Sequence, residues 1–110
     1  MVVRRCKYIK KGVEDYAYLY QLSDGSTRKA KNTILFRDGE GVDLDKLLRS
    51  SLGDNVDNPL DLYGLRVYNA GFIKRDETED SVLEIVFYNS YGDRYSVEFD
   101  QDLNMISEPH

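Results

Sequence analysis

Residues that usually carry chemistry are scarce in this chain. Its 110 residues include one cysteine, one histidine, two prolines and no tryptophan. The lone Cys6 excludes an intramolecular disulfide, so the fold does not rest on oxidation. One cysteine and one histidine cannot furnish a four-ligand zinc site. They also leave Cys6 and His110 as the only pair for thiol chemistry, and His110 as the only base for a serine triad. Cys6 falls in a strand-like run, where half-buried packing is its expected role. His110 is the last residue, and a frayed end does not hold an imidazole in the geometry of a general base. No catalytic residue and no cofactor are assigned, and the chain is read as not an enzyme.

Long apolar runs are also missing. No stretch approaches the ~20 residues that span a bilayer. Met1–Lys11 carries charges with no apolar centre, so no signal peptide is expected. The expected location is cytoplasmic, with no membrane partner. The glycines form no phosphate loop: Gly39-Glu-Gly41 lacks both GxGxxG and GxxxxGK[ST], and Glu40, Asp43 and Asp45 would repel an anion there. Asp100-Gln-Asp102-Leu-Asn104 opens like a calcium loop, but Met105 stands where the sharp-turn glycine belongs and the closing Glu is missing. No metal site is assigned.

What the chain does have is polarised charge. The net charge of −5 hides +6 over residues 1–37, −2 over 38–75 and −9 over 76–110. Nine tyrosines and four phenylalanines favour strands, because aromatic side chains suit a pleated surface. The length fits a single domain over residues 1–110.

Val2–Lys10 reads as a strand that ends before Gly12. Tyr16–Leu22 alternates, with Tyr16, Tyr18, Tyr20 and Leu22 on one face and Ala17, Leu19 and Gln21 on the other. The tyrosine side is expected to face the core. Asp24-Gly25 signals a hairpin turn and Thr27–Phe36 the return strand. After a loop over 37–41, Asp43 is positioned to cap a helix over Leu44–Leu52, with Gly53 as its C-terminal stop. Leu44, Leu47, Leu48 and Leu52 form its apolar stripe. Asp54–Pro59 reads as a loop and Leu65–Lys74 as a strand with a bulge at Gly71. Val82–Tyr88 reads as a central strand, followed by a turn at 89–93. Arg94–Asp100 follows, with Tyr95, Val97 and Phe99 inward and Glu98 outward. Leu103–Ile106 is expected to add an edge pairing. The fold class is therefore α+β: a small antiparallel sheet of about six strands in the order βββαβββ, with one short helix on one face.

Function is read from the two charged ends. The preferred reading is a non-catalytic protein-binding domain, a small acidic inhibitor or accessory protein of phage or mobile-element type. Its acidic surface of Asp76, Glu77, Glu79, Asp80, Glu98, Asp100 and Asp102 would engage a protein with a basic, nucleic-acid-binding surface. The alternative is a nucleic-acid-binding module built from Arg28, Lys29, Lys31 and Arg37 with Tyr18 and Tyr20 as stacking groups. A third reading is self-association, as a homodimer or within the chain, with basic strand one beside an acidic C-terminal strand.

Overall fold

The computed structural model describes residues 2–23, 30–37, 41–55, 64–74 and 80–110. The expected hairpin turn at 24–25, most of the 37–41 loop, the 54–59 loop beyond Asn55 and the charged connection at 75–79 lie outside these residues. Seven strands and one helix occur in the order β1 (Val2–Lys10), β2 (Val13–Ser23), β3 (Ala30–Phe36), β4 (Gly41–Asp43), α1 (Leu44–Asn55), β5 (Arg66–Ile73), β6 (Val82–Tyr88) and β7 (Arg94–Phe99). All pairings are antiparallel. The class is the α+β one that the pattern implies. The strands, however, divide between two sheets, β1-β2-β3-β4 and β5-β6-β7. Among the described residues no helix is long and apolar enough to cross a membrane.

Turn chemistry sets the first hairpin. Lys11 and Gly12 both take positive φ, 52° and 75°, as in a two-residue type I′ turn whose twist matches its strands. The Asp80 carboxylate receives both turn amides, at 2.9 Å from Lys11 N and 3.3 Å from Gly12 N. This turn fixes Lys10 opposite Val13 and, further along, Cys6 opposite Ala17. The last hairpin, β6–β7, turns at 89–93, where the buried Asn89 accepts through Oδ1 from the amides of Tyr91 and Asp93.

One core holds both sheets and the helix together. Cys6, Tyr8, Ala17, Leu19 and Ile34 come from the first sheet and Leu44, Leu48 and Leu52 from α1. Ala70, Leu83, Ile85, Phe87, Val97 and Phe99 come from the second sheet. Asp43 caps α1, accepting from Lys46 N at 3.2 Å. Burying three leucines of its stripe supplies the stability that a 12-residue helix lacks alone.

Several expectations are corrected. Gly53 does not stop α1, which runs on to Asn55. The bulge in β5 lies at Tyr68, where the register shifts between Val67 and Asn69. Gly71 lies outside the bulge, and a Cβ there would meet only the flexible end of the Arg4 side chain, which donates to the Ala70 carbonyl. Gly41–Asp43 is a fourth strand rather than loop, pairing with β3. Cys6 is buried, not half-buried. His110 is not frayed, since its backbone exchanges bonds of 2.8 and 3.0 Å with Ser96. The edge pairing expected of Leu103–Ile106 is present, through the Phe99–Met105 bridge and Ile106 N to Glu98 O.

Candidate binding face

The tyrosine row is reversed relative to expectation. Ala17 and Leu19 are buried in the core, while Tyr18 is 37% exposed and Tyr16 and Tyr20 are half-buried on the other side of β2. Alternation dictates that one set faces in. The small Ala17 and the wholly apolar Leu19 fit between the sheets. The tyrosines keep their hydroxyl ends toward water.

The hairpin register then assembles a face. Arg5 stands opposite Tyr18 and Lys7 opposite Tyr16. On the other flank Leu35 stands opposite Tyr18 and Thr33 opposite Tyr20. The Arg5 guanidinium sits over the Tyr16 ring, 4.5 Å from its centroid, as a cation–π contact. The Tyr18 and Tyr20 rings lie 6.4 Å apart and tilted by 52°. Lys7 Nζ pairs with Glu14 Oε1 at 2.6 Å, and Arg37 reaches Asp15 at 3.5 Å from the end of β3. The hydrogen bond to Glu14, and then the attraction between the two charges, raises the Lys7 ammonium above the ordinary lysine value.

Of the residues expected to bind nucleic acid, Tyr18 and Tyr20 share this face and Arg37 lies at its edge. Arg28 and Lys29 lie outside the described residues, as does the Lys31 side chain. Arg5, Lys7 and Tyr16, which belong to the same basic, tyrosine-bearing half of the sequence, complete the face. The Lys-Gly turn was the available signal, because a two-residue hairpin there fixes which β1 side chains stand beside the tyrosines.

The expected acidic surface does not assemble among the described residues. Asp76, Glu77 and Glu79 lie outside them. Asp80 is engaged by the Lys11-Gly12 turn. Asp100 closes its own turn, its Oδ1 accepting from Asp102 N and Asn104 N at 2.9 Å each. Glu98 is corrected from outward to buried, at 5% exposure. Outward parity exposes a side chain only on an uncovered strand, and the tail 103–110 runs back along β7. Ile106 N donates to Glu98 O, and Glu98 N donates to Ser107 Oγ at 3.1 Å. Asp80 and Asp102 are both exposed, and Asp100 is half-buried. The described residues contain no group of three His, Cys, Asp or Glu placed to hold a metal ion.

Basic strand one also does not lie beside the acidic C-terminal strand. β1 pairs with β2, and its free edge meets β5 and residues 80–81. The Ile9 carbonyl accepts from Ser81 N, and Ile9 N donates to Ser81 Oγ at 2.8 Å. No family model, curated protein or solved structure matches the chain, so its function is argued from these residues alone.

Proposed function

We propose that the protein is a non-catalytic protein-binding domain, a small inhibitor or accessory protein, that engages its partner through the outer face of the four-stranded sheet. The observation that carries this is the outward row of Tyr16, Tyr18 and Tyr20 with Arg5 seated over it. Tyrosine and arginine are the residue types enriched at interface hot spots, because they combine broad apolar contact with directional polar tips. A rigid sheet presents them at little entropic cost. The pairing of cations favours a protein over a nucleic acid as occupant. Phosphate binding draws on uncompensated cations, whereas Lys7 and Arg37 are each matched to a carboxylate. The tyrosine face replaces the acidic half as the binding surface, because Asp80, Glu98 and Asp100 are engaged or buried within the fold.

The test is capture from native lysate with and without nuclease, comparing the wild type, a Tyr18→Ser/Tyr20→Ser variant and an Asp102→Asn variant. The expected result is a stoichiometric protein held by the wild type and by Asp102→Asn, and reduced at least about tenfold by the tyrosine variant, the loss of a hot-spot pair. Nucleic acid captured instead, and lost on nuclease treatment, would assign the face to single strands. Capture retained by the tyrosine variant and lost by Asp102→Asn would return binding to the acidic side.

A further inference from the structure

A second feature, separate from the tyrosine face, lies where the two sheets meet. Tyr8 of β1, Phe36 of β3, Val42 of β4, Phe72 of β5 and Leu103 of the post-β7 turn line a cleft of about 190 Å³, together with the polar Lys10, Asp100 and Gln101. The three rings form a continuous wall. Tyr8 and Phe72 lie 4.8 Å apart at 30°, Tyr8 and Phe36 5.7 Å apart edge-on, and Phe36 and Phe72 6.0 Å apart. Phe87 and Phe99 of the same core are completely buried, whereas Phe36 and Phe72 are only partly so. The cleft is what leaves them open. An apolar cavity of ~150 Å³ is enough to take up benzene, so this one has room for a single ring with a short arm.

Two details show that the cleft is built rather than left over. Leu103 adopts φ +65°, a left-handed backbone that a branched residue seldom takes. The 100–104 turn that imposes it is tied by Leu103 N to Asp100 O at 3.1 Å and by the Asp100 carboxylate to the amides of Asp102 and Asn104. Those bonds commit Asp100 to its own turn. Lys10 is two residues beyond Tyr8 and so shares its side of β1, and none of the ion pairs among the described residues involves it. The lining therefore offers a cation free to meet a ligand beside an aromatic wall, while the Asp100 carboxylate is held by the amides of its own turn.

We propose that this cleft binds a small monocyclic aromatic carboxylic acid, its ring between the Phe36–Phe72 wall and Leu103 and its carboxylate on Lys10. The test uses the full ¹⁵N-labelled chain, titrated separately with phenylacetate and with benzyl alcohol, its neutral counterpart. The expected result is saturable amide shifts centred on Tyr8, Phe36, Phe72 and residues 100–103. Phenylacetate should bind about fivefold more tightly than the alcohol, the advantage of one partly screened ion contact. Lys10→Met should erase that advantage while the ring still binds. Val42→Phe, which fills the cleft from β4, should abolish binding of both while its spectral dispersion reports a retained fold. Absent or scattered shifts, or an undiminished preference for phenylacetate in Lys10→Met, would overturn the proposal. If Val42→Phe does not fold, the Lys10→Met comparison decides alone.

Discussion

Tyr18 and Leu19 are neighbours in β2 with opposite surroundings, one on the outer face and one between the sheets. Leu19→Ala removes a buried side chain and leaves a cavity, and should cost about 2–5 kcal/mol. Tyr18→Ala takes away an outer-face ring with cross-strand neighbours and should cost about 1 kcal/mol, well below the Leu19 loss. Urea unfolding of the two variants checks this, and reversed magnitudes would turn the strand over. The alternation of Tyr16–Leu22 was plain in the sequence, and it correctly separated the two faces. It could not say which face is inside. Ala17 and Leu19 look meagre beside three tyrosines when area alone is compared, yet the gap between two sheets and a helix selects small and wholly apolar groups. Lys7 offers a second residue-level test. Its pKa is raised in the folded state by Glu14. The pair's contribution is thus full below the unfolded lysine value and is lost as pH rises through the higher folded value. Glu14→Gln should bring the Lys7 titration, followed by NMR at its side chain, back down toward the ordinary lysine range.

The tail after β7 behaves as an element, though its backbone carries only an isolated bridge and scattered bonds. It covers an edge that would otherwise present unpaired amides and carbonyls. Ile106→Pro removes the donor to Glu98 O and should cost about 1 kcal/mol. It should also speed amide exchange at Ser96, whose amide donates to His110 O across the same seam. Exchange at Ser96 that stays as slow as in the wild type would mean the tail does not depend on this bond. The longer elements were legible because their signals are local: Val2–Lys10 and Val82–Tyr88 match their strands end to end, and Asp43 marks the helix start. Three residues of β4 are too few to show a period. The burial of Glu98 is set by a segment that arrives from beyond its own strand, so alternation within β7 could not reveal it. Gly53 misled for a related reason: glycine is permitted inside a helix that packing already holds, and it carries no positive φ here.

At the scale of the molecule, charge and core tell different stories. The ion pairs among the described residues, Lys7–Glu14, Arg37–Asp15 and Arg49–Asp45, all lie within the first 49 residues. The basic and acidic ends meet instead through neutral backbone groups, the Lys11 and Gly12 amides on Asp80, and the Ala70 carbonyl of the middle segment meets Arg4. The polarisation seen in the sequence is therefore not cancelled by ion pairing among the described residues. The core, by contrast, ignores the division. Leu83, Ile85 and Phe99 of one sheet belong to the same cluster as Tyr8, Leu19 and Ile34 of the other, with Leu44 and Leu48 of α1 among them. Neither sheet can lose its partner without exposing most of that cluster, because a three-stranded sheet needs its apolar face covered. Unfolding should accordingly be one cooperative step. Tyrosines stand in both sheets, so near-ultraviolet dichroism reports the packing of their rings, whereas far-ultraviolet dichroism reports the strands themselves. The two signals should give the same midpoint and slope in urea. An early loss of tyrosine signal with persisting strand content would mark a state that keeps its strands without fixed packing, and unfolding would then not be one step.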